Sequence, residues 1–183
     1  ETTEPAVVEE ETRRGTTDFG LFLMRLFLGA FLIIDSVAMF FRLGGNEGIS
    51  GLESAFADYP YGSGLAVVVP TLELAAGVFL LLGLLTPIAA LVAIAVTGFM
   101  ALHAFVSQSD GFNVFAWTPE TWVPVMLLAA SLVVQFTGPG RYGIDASRGW
   151  AKRPLVSSWI GVLLGLAAAG LIWWFGTGVN PVA

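Results

Sequence analysis

Polar residues break this chain into blocks: apolar runs of about membrane length alternate with short polar or glycine-rich stretches. The pattern predicts five spanning helices. The first runs from Phe19 to Leu43, the second from about Gly64 to Leu85, and the third from about Ile88 to Ser107. A fourth occupies Pro119 to Val134 or slightly beyond, and a fifth runs from about Val156 to Phe175. Between the second and third, Thr86-Pro87 is expected to break the apolar run, because proline disfavours helical geometry in the residue before it. The two helices then form a tight hairpin. The loop from Gly44 to Ser63 is rich in glycine, and Gly138-Pro139-Gly140 ends the fourth span. The fold class this predicts is all-α: an integral membrane bundle of four helices plus a fifth, C-terminal transmembrane helix.

The ends of the blocks carry the charge. Residues 1–18, ETTEPAVVEEETRRGTTD, are acidic and poor in large apolar side chains, so a solvated cytoplasmic tail is expected there. They lack the order of a signal peptide, so the first span is expected to be retained. Residues 19–146 then form the four-helix membrane domain, and residues 147–183 a basic cytoplasmic loop with the fifth helix. Arg13, Arg14, Arg141, Arg148, Lys152 and Arg153 fall on one side of a five-span bundle, with Arg42 on the other. The excess of positive charge puts the N-terminus in the cytoplasm and the C-terminus outside.

Composition excludes several classes. With no cysteine the chain has no disulfide, thiolate metal site or cysteine nucleophile, and with one histidine it cannot supply bis-histidine haem ligation or an ordinary zinc site. The net charge of -6 comes without the basic patch that nucleic acid needs. No cofactor bound by this chain alone is expected.

Four ionisable side chains interrupt the apolar runs: Arg25, Asp35, Glu73 and His103. Each is costly at bilayer depth unless neutral, hydrated or paired. At about 1.5 Å per residue, Arg25 sits roughly 9 Å and Glu73 roughly 18 Å from the cytoplasmic end, a gap that a long arginine stem can partly cover. Arg25 with Glu73 is therefore one expected pair, and Asp35 with His103, both in the outer half, a second. The pairs can be structural, neutralising charge and fixing helix register, or can form a proton-linked or quinone-headgroup pocket. Arg25, Gly29 and Ser36 share one helical face, and Gly77 leaves room one turn after Glu73. On the fifth span Gly161, Gly165 and Ala169 form a small-residue stripe of the kind that docks a partner helix, and Trp159 and Trp173-Trp174 bracket that span as interfacial anchors.

Three segments, TTDFGLFLMRLFLGAFLI, LELAAGVFLLLGLLTPIAALVAIAV and GPGRYGIDA, together resemble the DoxX family of small bacterial membrane proteins. The matching positions are Arg25, Gly29, Glu73, Gly77, Gly83, Pro87, Gly138, Gly140, Arg141, Tyr142 and Asp145. Where that family often carries a histidine-glycine pair and a lysine late in the first span, this chain has Asp35-Ser36. The resemblance implies a plasma-membrane protein associated with other membrane subunits of a respiratory complex and with phospholipids. Haem, copper and quinone are then expected in those partners. One form of this role is a non-catalytic accessory subunit of a supercomplex joining a quinol:cytochrome c reductase to a cytochrome c oxidase. The other is a quinone-reactive subunit of a sulfur-compound:quinone oxidoreductase.

Overall fold

Long apolar runs with few breakers form helices wherever the backbone must satisfy its own polar groups, and the computed structural model, which describes residues 15–108, 113–147 and 155–181, shows six. They are α1 (Gly15–Phe41), α2 (Gly48–Ala55), α3 (Gly62–Leu82), α4 (Thr86–Val106), α5 (Pro119–Thr137) and α6 (Leu155–Thr177). All but α2 are long and apolar enough to cross a membrane. Most of the expected acidic tail, with Arg13 and Arg14, and Arg148, Lys152 and Arg153 of the basic loop lie outside the described residues.

Three boundaries differ from the sequence expectation. The first helix begins at Gly15, drawing the end of the acidic tail into its first turn. The glycine-rich loop contains α2, whose C-cap residue Phe56 is fully buried against Phe99, Tyr59 and His103. At the hairpin, α3 stops at Leu82 because Gly83 adopts the left-handed conformation and returns its N–H to Leu80, while the Leu84 N–H reaches the Phe79 carbonyl. Pro87 does not break α3. It lies in the first turn of α4, where a missing N–H costs nothing and a fixed φ helps.

Helices α1, α3, α4 and α5 close into a ring, and α6 packs on the outside of α4 with lesser contact to α5 and α3. Lipid tails are as apolar as leucine, so helix association rests on close packing, which favours small residues at the crossings. At the α1–α3 crossing a Cβ on Gly29 would lie 2.9 Å from the Gly77 carbonyl oxygen, and one on Gly77 would lie 2.9 Å from the Gly29 oxygen. The two backbones are in contact there. The central helix α4 presents Ala89, Ala90, Ala93 and Gly98 to its neighbours. Leu28, Leu32, Leu80 and Val134 fill the core near the α3–α4 turn, with Met24, Leu127 and Ala130 against them. Phe56, Leu65, Val69, Phe99 and Trp173 fill the opposite end.

The stripe on α6 is used inside the chain. A Cβ on Gly165 would meet Ile94 at 2.8 Å and the Leu91 carbonyl at 3.1 Å, Gly161 faces the Gln135 side chain, and Ala169 seats against Gly98. Gly161, Gly165 and Ala169 are therefore the seam by which α6 joins α4 and α5, and they are unavailable to a partner helix. Trp173, one turn further on the same face, is likewise 2 % exposed and donates from Nε1 to the Val179 carbonyl at 2.8 Å. Of the three expected tryptophan anchors, only Trp159 and Trp174 face outward.

Replacing Gly165 with leucine overpacks this seam and is expected to cost about 2 kcal/mol in the stability of the isolated chain, measured as a lower midpoint of unfolding in detergent. An unchanged midpoint with loss of association to other proteins would place the stripe on an outer surface instead.

Candidate functional site

Arg25 and Glu73 are both buried, at 1 % and 3 % exposure, yet they do not meet. Arg25 turns toward the α3–α4 turn. Its Nη1 donates to the Pro139 carbonyl and its Nη2 to the Tyr142 carbonyl, each at 2.6 Å. The guanidinium lies between two glycines: a Cβ on Gly83 would sit 2.6 Å, and one on Gly143 2.7 Å, from Nη1. Asp145 closes the arrangement. Its Oδ2 accepts the Thr86 N–H at 3.0 Å, its own N–H donates to the Gly83 carbonyl at 3.0 Å, and its carboxylate is close enough to act on Arg25 electrostatically. Tyr142 lays its ring near Phe19 and Phe22, and Arg141 pairs with Asp18 at 3.5 Å on the surface. The segment GPGRYGID is therefore a clasp that fixes α1 and the α3–α4 turn to the end of α5. The expected Arg25–Glu73 ion pair is absent among the described residues, because carbonyl oxygens nearer the helix ends take the guanidinium first.

The other three ionisable residues do converge. Asp35 on α1, Glu73 on α3 and His103 on α4 line one cavity of about 640 Å³ between α1, α3, α4 and α5. That volume is in the range of small-molecule sites. Glu73 is at the middle of α3, three residues after the helix-interior Pro70. From Ser107 at the end of α4 the cavity reaches Thr97, about 15 Å along the helix. It is a cleft that opens toward the α2 end of the bundle and ends at mid-span on Glu73. On the α5 side it is bounded by Glu120, Thr121, Pro124 and Leu127, and its walls include Phe31, Met39 and Met100.

Asp35 and His103 share the cleft, but no ion pair joins them among the described residues. The His103 Nδ1 is instead 2.8 Å from the Tyr59 hydroxyl, and the Phe56 and Tyr59 rings meet the imidazole edge to face. This hydrogen bond holds the α2–α3 connection onto α4. Burial, and then the neighbouring Asp58 charge, push the Tyr59 phenol above its usual pKa, so it is a neutral hydroxyl at physiological pH. Asp35 lies close enough to Glu73 for the two carboxyls to repel.

Two buried oxygens facing the cleft have no hydrogen-bond partner: Oε2 of Glu73 and Oγ1 of Thr121. Each is a polar atom held out of water, and such atoms are rare unless something else satisfies them. Thr121 escaped the reading of the sequence. Its signal was available in principle, since Thr121 and Pro124 stand one turn apart near the start of a span otherwise rich in leucine and valine.

The fold and this cleft define a multi-pass helical membrane protein with a polar site reaching mid-bilayer. The DoxX family profile matches residues 20–108, which run from the start of α1 to the end of α4 and hold Arg25, Asp35, Glu73 and His103; this part of the chain is a DoxX domain. Comparison with curated proteins and with solved structures gives no match.

Separate partners for Arg25 and Glu73 make the two sites energetically independent. Arg25→Met removes two charge-assisted bonds and is expected to cost about 3 kcal/mol. Glu73→Gln is expected to leave stability unchanged or higher, and in the double variant the two effects should add within about 0.5 kcal/mol. A double-mutant cycle in unfolding free energy reads this directly, and a coupling well above that value would restore the ion pair.

Proposed function

We propose that the chain binds the headgroup of a quinol, a substituted hydroquinone, in the Glu73 cleft, and does so as a membrane subunit of a respiratory assembly. The observation that carries this reading is the Glu73 carboxyl: buried at mid-span, unpartnered at Oε2, and at the inner end of a cleft wide enough for a substituted ring. A hydroquinone O–H is a donor that a carboxylate accepts strongly. Thr121 Oγ1 offers a second hydrogen-bonding group, and Phe31, Met39 and Met100 give the apolar walls that a ring and tail need. The DoxX domain supports the same reading, since quinone chemistry is frequent in that family. Glu73 and Asp35 can hold and exchange a proton at the headgroup, with His103 and Tyr59 between them and the α2 end. Haem and copper in this reading belong to partner subunits, and phospholipid covers the outer apolar faces.

A second reading keeps the chain as a non-catalytic accessory subunit of a supercomplex of quinol:cytochrome c reductase and cytochrome c oxidase. Its specific support is the aromatic outer surface, with Phe19, Phe27 and Phe41 on α1 and Trp159, Trp174 and Phe175 on α6 all outward. In both readings the N-terminus is cytoplasmic and the C-terminus outside, by the distribution of lysine and arginine.

Titrating the full chain in nanodiscs with a short-chain hydroquinone tests the first reading. Saturable binding is expected, weakened by about tenfold or more in Glu73→Gln, as for loss of a hydrogen bond to a charged group. Absence of saturable binding sinks it. Purification in mild detergent separates the second: copurifying haem spectra support the supercomplex, and migration as a haem-free homo-oligomer counts against it.

A further inference from the structure

The charged side chains lining the cleft share one sign. Asp35 and Glu73 lie along its depth and Glu120 is exposed at its mouth, while among the described residues no lysine or arginine lines it. The two nearest candidates on α1 and its end are committed elsewhere: Arg25 to the Pro139 and Tyr142 carbonyls, and Arg42 to the Ser50 hydroxyl at 3.0 Å. His103 gives its Nδ1 to Tyr59. Pro124, also in the wall, has no N–H to offer the Glu120 carbonyl one turn earlier, so the backbone there adds a further acceptor at the mouth. Glu120 already accepts from the Thr118 hydroxyl and its own N–H, so the deeper carboxyls of Asp35 and Glu73 are the ones that lack a charged partner among the described residues.

Independent of that acidic set, Thr121 is fully buried and unpartnered at Oγ1; within the set, Glu73 Oε2 is unpartnered at 3 % exposure. An uncompensated pair of carboxyls in an apolar setting is relieved either by a proton or by an opposite charge placed between them. The remaining wall is hydrocarbon, thioether and the Phe31 ring, which can pack a chain and stack against a cation.

We infer that the cleft is a binding site for an amphiphilic monocation, an alkylammonium or similar lipophilic amine, with the ammonium between Asp35 and Glu73 and the apolar body along Phe31 and Met100. This goes beyond the quinol reading, because it rests on the sign of the lining charge and not on a hydroxyl donor. Such a cation would compete with a quinol for Glu73.

The test uses the full chain in nanodiscs and three probes of equal chain length: an alkylammonium ion, an alkyl glucoside and an alkyl phosphate. Saturable binding and a rise in melting temperature are expected for the ammonium alone. Affinity should fall by about tenfold or more in Glu73→Gln and again in Glu73→Gln with Asp35→Asn, and be largely retained in Glu73→Asp, which keeps the charge. Should the double variant fold poorly, Asp35→Asn alone gives the same direction of change. Equal binding of the glucoside or the phosphate, or ammonium binding indifferent to these substitutions, overturns the inference even where hydroquinone binds. Ammonium binding without hydroquinone binding upholds it and removes the quinol reading.

Discussion

A guanidinium buried among helices must find acceptors, and the place where Arg25 finds them decides the rest of this protein. The Pro139 and Tyr142 carbonyls are free because the chain beyond α5 is not helical there, and free carbonyls are the strongest uncharged partners a cation can have inside a bundle. Reaching them needs bare backbone on both sides of the guanidinium, which Gly83 and Gly143 provide. One side chain thereby ties the first helix, the α3–α4 hairpin and the end of α5 together at one face of the membrane. It also leaves Glu73 with no cation among the described residues.

The bundle divides into two functional halves as a result. Near the α3–α4 turn, the α1–α5 gap is filled by Met24, Leu28, Leu127 and Ala130 around the Leu80 core, and the clasp below holds it shut. Toward the α2 end α1 and α5 border a cleft in place of a core. Rigidity comes from the backbone contact at Gly29 and Gly77, which lies one turn beyond Glu73 and sets the floor level. The aromatic cluster of Phe56, Tyr59, Phe99 and Trp173 braces the open end from the α4 and α6 side, so the cleft is shaped by packing on one wall and by separated helices on the other. A site carried on rigid spans in this way holds its polar groups in place without needing a ligand to organise them.

The sixth helix completes the other side. Its glycine and alanine stripe is consumed by α4, so what remains outward is leucine, valine and aromatic surface suited to lipid or to a partner. An accessory role would therefore use large apolar side chains and not close backbone contact. That changes the expected character of any interface, since large side chains pack with broader tolerance than a glycine groove.

Much of this was readable from the sequence. The five spans follow from block hydropathy, because a bilayer fixes how long an apolar helix must be. The four embedded ionisable residues were visible as breaks in those blocks, and their cost marked them as purposeful. The shared face of Arg25, Gly29 and Ser36 followed from helical period alone, and all three are buried. What the sequence could not decide was pairing. Depth along a helix is set by 1.5 Å per residue, but the direction an arginine takes depends on which carbonyls the folded loops leave unbonded, a property of residues more than a hundred positions away. The same holds for the α6 stripe, where spacing shows that something packs closely and only the tertiary structure shows that it is the chain's own α4. The unpartnered oxygens of Glu73 and Thr121 belong to this class too: sequence names polar atoms, while only three-dimensional packing determines which of them are left facing an open cleft.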